Sequence, residues 1–297
     1  MASREELTMI RGARAGKAAA QLALGKCYLF GGEGLPQSAP TALHWLDRAA
    51  RQGCEEAWRL IGGHISYEVV AQSDARLSLC QWYERAFEAG IAQAGLVFAR
   101  LALAQGDEMV EAGLRRKAIA ALEAAAQAGL SDAQWLLAEL SADKHTDNTP
   151  NDGKALEWAE RAASGGVTPA QQALADHAWD AGDGEAFLHW ALPLAREVAR
   201  RQIRTVAAEP SKAVSPGLRL EDAKLLSRCA QVLVSREDCD PDEVQLFWEL
   251  AAQSGEELAP FSLGLWLAKM DENGARIKAG AGAANFKKSI RWLTLAG

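Results

Sequence analysis

Residue types that do chemistry occur in this chain, but their spacing assembles no catalytic or metal-binding set. The five histidines (His44, His64, His145, His177, His189) form neither a His-x-x-x-His nor a His-Glu-x-x-His pair, so the sequence predicts no metal and no cofactor. Asp238-Cys-Asp240-Pro-Asp242 opens like a calcium loop with Glu249 twelfth, yet Glu243 stands sixth, where such a loop needs glycine for its sharp turn. Asp240 as a helix N-cap, Pro241 as the first helical residue and acids in the first turn account for the same segment. Gly31-Gly-Glu-Gly34 has the glycines of a phosphate loop without its Gly-Lys-Ser/Thr ending or a preceding strand, and a hairpin turn explains them. No Ser/His/Asp or Cys/His set follows from spacing, and the expectation is a protein without enzymatic activity. One constellation retains binding chemistry. Arg196, Arg200 and Arg204 are four apart and so share one helical face, Arg201 widens it, and Glu197 is the sole acid between them. Such a stripe suits the carboxylates or phosphates of a partner. A solvated helix face, or ion pairs with acids of the next unit, fits the same spacing.

The elements that carry these residues are set by a period. Six glycines stand four residues ahead of an alanine, at Gly16–Ala20, Gly53–Ala57, Gly90–Ala94, Gly129–Ala133, Gly166–Ala170 and Gly255–Ala259, and Arg219–Ala223 holds the same spacing. The first five are 37 to 39 residues apart, the size of an array of identical supersecondary units. Eight residues before each closing glycine comes an aromatic or apolar anchor followed by small residues, as in Trp45-Leu-Asp-Arg-Ala-Ala-Arg-Gln-Gly53 and Trp158-Ala-Glu-Arg-Ala-Ala-Ser-Gly-Gly166. Trp45 and Ala49, four apart, lie on one face, and the glycines Gly53, Gly90, Gly129, Gly166 and Gly255 fit the left-handed residue that ends a helix. On this pattern Trp45, Trp82 and Trp158 are core anchors packed between hairpins. In the first helix of each unit Gly25, Gly62 and Gly264, with Ala99, Ala138 and Ala175 in equivalent places, let the two helices of a hairpin approach closely.

Ala20, Leu24, Gly25, Tyr28 and Gly34, followed by Ala42, Trp45, Ala49, Ala50 and Gly53, resemble the Sel1-like repeat, a branch of the tetratricopeptide-like helical-hairpin solenoids. The resemblance is strong over 16–90, fair over 91–166 and 219–297, and poor over 167–218. It implies an all-α right-handed superhelix of antiparallel hairpins that serves as an adaptor for protein complexes, with no catalytic residue.

Composition agrees with a helical array. Alanine is abundant and no alternating strand pattern appears. A net charge of −7 and a sequence pI near 5.4 argue against general nucleic-acid binding, which shows a basic domain or stripe. No stretch approaches the apolar length that spans a bilayer, and the first residues lack the apolar run of a secretory signal, so the expected location is cytoplasmic. Cys27, Cys54, Cys80, Cys229 and Cys239 are odd in number, include no Cys-x-x-Cys and fall at different repeat positions, which predicts free thiols, mostly buried.

The expected organisation is a single array: a partial repeat over 1–16, repeats at 17–53, 54–90, 91–129 and 130–166, an irregular enlarged repeat at 167–218, a repeat at 219–255, and a repeat over 256–297 that stops inside its second helix, like a piece of a longer array. The irregular unit holds a long helix through Arg204 and the loop 209–217; further loops are expected at 143–150 and 271–282. The function expected is a non-catalytic scaffold binding a protein partner, acidic where it meets Arg196, Arg200, Arg201 and Arg204. The second reading is a regulator that binds a nucleic acid or acidic ligand through the same patch.

Overall fold

The computed structural model describes residues 4–32, 34–73, 76–104, 112–142, 152–208, 218–236, 238–270 and 285–296. The expected loops 143–150, 209–217 and 271–282 lie outside the described residues. Among the described residues every regular element is an α-helix: α1 (Arg4–Arg14), α2 (Ala18–Phe30), α3 (Ala39–Arg51), α4 (Glu55–His64), α5 (Tyr67–Ala71), α6 (Arg76–Glu88), α7 (Ala92–Leu103), α8 (Ala112–Gln127), α9 (Ser131–Ala142), α10 (Asp152–Ser164), α11 (Thr168–Asp180), α12 (Gly184–Ala208), α13 (Leu220–Val234), α14 (Pro241–Gln253), α15 (Ala259–Ala268) and α16 (Phe286–Ala296). The chain falls into two compact units, Met1–Val167 and Thr168–Gly297, divided one residue after Gly166. In the first, α1 leads into the hairpins α2/α3, α4/α6, α7/α8 and α9/α10. In the second the hairpins are α11/α12, α13/α14 and α15/α16.

One turn closes five of the second helices, α3, α6, α8, α10 and α14. Gly53, Gly90, Gly129, Gly166 and Gly255 sit at φ of +83° to +90°, a region that side chains other than glycine rarely enter. The turn is a Schellman motif made the same way five times. The amide of the next residue donates to the carbonyl of the first small residue (Cys54 to Ala49, Ile91 to Ala86, Leu130 to Ala125, Val167 to Ala162, Glu256 to Ala251), and the glycine amide donates to the residue after it. Those five alanines are fully buried. Gly16 and Gly182 close α1 and α11 with the same pair of bonds, although the Gly182 turn joins the two helices inside a hairpin.

The seam inside the hairpins α2/α3 and α15/α16 depends on a glycine of the first helix. A Cβ on Gly25 would come within 2.7 Å of the Leu46 side chain across α2/α3, and one on Gly264 within 2.6 Å of Leu293 across α15/α16. The second-helix residue at that crossing is the core residue. Leu46, Tyr83, Leu122 and Trp248 are buried there, each contributing roughly 1.5–3 kcal/mol of apolar burial. Buried Gln21 and Gln134 tie a first helix to the helix before it, their amides donating to the carbonyls of Ala13 and Ala126.

Two features differ from the sequence reading, the helix α5 and the place of the tryptophans, while α12 is the long helix it expected. The short helix α5 interrupts the 54–90 hairpin; Tyr83 donates its hydroxyl to the Ile65 carbonyl just before it at 3.0 Å, which anchors the insertion. The enlarged repeat at 167–218 keeps an ordinary first helix, α11, and puts its extra length into α12, which runs 25 residues with Pro193 inside. The tryptophans are displaced from the core position by one residue: Trp82 is buried, but Trp45 and Trp158 are only half-buried. The reason is helical geometry, because the next residue on the helix points into the crossing and the ring covers its edge.

Candidate interaction surface

In the unit Met1–Val167 the outward side of the first helices is joined by rungs of charged and aromatic side chains. Lys26 and Phe30 are one turn apart on α2, and Glu56 and His64 lie eight apart on α4, so each pair shares a face. Lys26 Nζ meets Glu56 Oε1 at 2.5 Å, and the Phe30 and His64 rings meet edge to face with centroids 5.1 Å apart. Past His64 the chain enters α5, where Tyr67 lies under the Arg100 guanidinium of α7 at 5.4 Å and Glu68 pairs with the same group at 3.6 Å. Hydrogen bonds from the Ser66 hydroxyl and the Glu68 backbone amide, with a lesser contribution from the Arg100 charge, hold the Glu68 carboxyl below the ordinary carboxylate range against the opposing effect of burial. Trp58 of α4 is half-buried with Arg59 stacked over its ring at 5.1 Å. Phe30 is 55% exposed although its neighbours Leu29 and Leu24 are buried.

The second helices carry a different set of rungs. Trp45, Trp82 and Trp158 each lie under the arginine three residues on (Arg48 at 5.6 Å, Arg85 at 5.2 Å, Arg161 at 4.8 Å). The Trp82 indole donates to Asp47 at 2.8 Å, Arg51 donates to Ser78 at 3.0 Å, and Lys117 meets Glu84 at 2.7 Å, so α3, α6 and α8 are laced together across their edges. On this side the Trp45, Trp82 and Trp158 faces are each covered by an arginine of the same helix.

The arginines of α12 are not an unopposed stripe. Arg196 makes a two-bond contact with Glu243 of α14 at 2.7 and 2.9 Å, and the Glu243 hydrogen bond raises its already high pKa. Arg201 reaches Asp222 of α13 at 3.2 Å, shared with Arg219. Arg200 meets Glu197 on its own helix at 3.5 Å, with both side chains exposed. Arg204 alone of the four makes no ion pair among the described residues. The acids that neutralise Arg196 and Arg201 lie 47 and 21 residues away, beyond the reach of any reading from local spacing. Past buried Ala199 the last turns of α12 carry exposed Ile203 and Val206 beside Arg200 and Arg204.

The remaining candidates from the sequence resolve locally. Asp240 caps α14, accepting from the Asp242 amide at 3.0 Å, and Asp238 pairs with Arg236. Gly31 and Gly34 take positive φ in the turn after α2. The cysteines are free thiols, Cys80 and Cys229 buried and Cys27, Cys54 and Cys239 half-buried. Burial, with Glu84 nearby, pushes the Cys80 thiol up to about 11, and burial raises Cys229 further. Among the described residues no cluster of three metal-ligating side chains occurs, and no helix is long and apolar enough to cross a membrane.

The family model for the Sel1 repeat matches residues 18–54 and 131–167. The chain carries Sel1 repeats. The matched stretches are the hairpins α2/α3 and α9/α10 with their closing glycines, the two in which a buried glutamine bonds back to the preceding helix. The hairpins between them keep the closing glycine and buried alanine but have Trp58 and Gly95 in place of that glutamine. Solved structures that resemble the chain include the following two. One is c5321, a protective antigen present in uropathogenic Escherichia coli strains displaying an SLR fold, at 20% identity over 98% of this chain and 63% of that one, with a TM-score of 0.49. The other is a Sel1 repeat protein from Oxalobacter formigenes, at 21% identity over 99% of this chain and 78% of that one, with a TM-score of 0.48. The chain therefore spans less than two thirds of the first of these. No curated protein sequence matches it.

Proposed function

We propose that this protein is a non-catalytic scaffold that holds a protein partner on the first-helix side of Met1–Val167. Sel1 repeats are commonly protein-interaction scaffolds, and here the 55% exposed Phe30 ring favours this surface. Phe30, His64, Trp58, Arg59, Tyr67 and Arg100 are aromatic and arginine side chains, the types that dominate binding energy, left at least partly exposed on neighbouring helices. Their mutual stacking fixes their rotamers before a partner arrives, which lowers the entropy lost on binding. Free thiols suit a reducing compartment, and the cytoplasm is the location proposed.

A second reading places an acidic partner, or less readily a phosphate-bearing ligand, at the end of α12. What supports it is Arg204, which has no ion pair among the described residues, beside the weakly paired Arg200; Arg196 and Arg201 serve there as struts to Glu243 and Asp222.

The test is affinity capture from native lysate with the wild type, Phe30→Ala/Tyr67→Ala, and Arg200→Glu/Arg204→Glu, each checked by circular dichroism. Loss of a specific protein with the first variant alone supports the first-helix surface. Loss with the arginine variant alone supports the second reading.

A further inference from the structure

Counting back from the closing glycines picks out a side chain that the packing does not use. Arg11, Arg48 and Arg85 stand five residues before Gly16, Gly53 and Gly90, so an arginine recurs every 37 residues on α1, α3 and α6. Each lies two residues past the core position held by Leu46 and Tyr83 in α3 and α6, which turns it away from the crossing. All three are exposed, and among the described residues none of them makes an ion pair. On α8 the place is held by Ala124, which ends the run, and Arg161 of α10 is already bound to Glu157 at 2.6 Å.

Two of these arginines rest on fixed platforms. Arg48 and Arg85 lie over the rings of Trp45 and Trp82. Trp45 meets His44 edge to face at 5.1 Å, and Trp82 is tied by its indole to Asp47. A guanidinium with one face on a ring keeps its N–H edge for a carboxylate and loses little freedom when it binds one. The acids beside them are engaged, Asp47 with Arg51 and Trp82, Glu84 with Lys117. Helices α1, α3, α6 and α8 together carry ten arginines and lysines against six aspartates and glutamates, in a chain whose net charge is −7.

We infer that Arg11, Arg48 and Arg85 form a ladder for an acidic, extended segment of a protein partner, which lies across α1, α3 and α6 with one carboxylate to each rung. The ladder goes beyond the first-helix surface and uses a different side of the repeats. Packed helices stand about 8–10 Å apart. A polyproline II chain has three residues per turn and rises about 3.1 Å per residue, so every third side chain faces the same way about 9 Å from the last. An unfolded acidic chain extends by self-repulsion and already favours that conformation. The sequence recognised is therefore an acid at every third position, three times over.

The test titrates the isotope-labelled full chain with a synthetic peptide that carries glutamate at every third residue, and with an isomer of the same composition whose glutamates are adjacent. The readout is the arginine side-chain Nε–H cross-peaks, assigned by their loss in Arg11→Gln, Arg48→Gln and Arg85→Gln. We expect saturable shifts of these three with the spaced peptide and affinity about tenfold or more lower for the isomer. Arg48→Gln weakens the spaced peptide about tenfold, and Arg48→Lys, which keeps the charge but not the two-bond edge, weakens it nearly as much. Arg161→Gln makes the same change in net charge and leaves affinity as it was, as does Phe30→Ala/Tyr67→Ala. Equal affinity for the two peptides, or equal loss with Arg161→Gln, overturns the ladder in favour of a diffuse electrostatic attraction. No shift at millimolar peptide overturns it outright. A single-stranded oligonucleotide that moves the same cross-peaks at lower concentration overturns it in favour of a nucleic acid.

Discussion

Gly62 and Gly63 are adjacent in α4, and replacing each with alanine should move stability in opposite directions. Both substitutions remove a helical glycine, which by propensity alone stabilises by about 0.5–1 kcal/mol. At Gly63 a new Cβ meets nothing within 4 Å, so that gain is realised. At Gly62 it lands on the Ala86 Cβ of α6 and lies 3.2 Å from the Ala94 Cβ of α7, so neither neighbouring helix can yield without pressing on the next. Overpacking of this kind costs about 1–3 kcal/mol, leaving Gly62→Ala roughly 1–2 kcal/mol less stable than wild type. For a unit of this size each kcal/mol moves the midpoint by about 2–4 °C. Differential scanning calorimetry should therefore show Gly63→Ala melting a few degrees higher and Gly62→Ala a few degrees lower. Adding Ala86→Gly to Gly62→Ala removes the colliding atom, so the double-mutant cycle should show favourable coupling. Shifts of the same sign, or additivity within about 0.5 kcal/mol, would refute the close-packed seam.

Other outcomes follow from the same packing. Trp82→Ala removes a buried ring and its bond to Asp47 and should cost about 3–5 kcal/mol by chemical denaturation, whereas Trp45→Ala, half-buried under Arg48, should cost clearly less; equal losses would put both rings in the core. Gly129→Ala forces a side chain into φ of +90° with no steric neighbour and should cost about 1–2 kcal/mol of strain, read as a lower midpoint with unchanged helicity. Iodoacetamide at pH 8 should modify Cys27, Cys54 and Cys239 before Cys80 and Cys229, as followed by peptide mass mapping. The folded Cys80 pKa lies above its unfolded value, so its contribution is complete below pH 9.0 and is lost as pH rises towards about 11. Alkaline denaturation midpoints should fall across that window, less so in Cys80→Ala.

The features legible in the sequence are those that local geometry dictates. The closing glycines are readable because a fixed period of glycines just past helical runs matches the left-handed residue that ends a helix, and the buried alanine three residues after each anchor's neighbour follows from helical spacing. The anchor itself is misplaced by one residue: size singles out the tryptophans, while the direction of a helical side chain makes Leu46 and Tyr83 the core residues. The five-residue α5 has too short a pattern to register, and its anchor, the Tyr83 hydroxyl, is distant in sequence. The division after Val167 leaves no compositional mark, since Gly166 closes its repeat like the others. The arginine stripe looks unopposed in sequence because ion pairs between α12, α13 and α14 depend on which helices stack. The first-helix rungs are hidden for the same reason: Lys26 with Glu56 and Phe30 with His64 become neighbours only once hairpins pack.

The central claim is that a protein partner sits on the first-helix side of Met1–Val167. It is tested most directly by placing a photo-crosslinking amino acid at Phe30, and as a control at exposed Glu123 on α8, and irradiating cells that express each form. The account predicts a discrete adduct with another protein from position 30, competed by wild-type protein and absent from position 123. No adduct from position 30, or the same adduct from both positions, would contradict it.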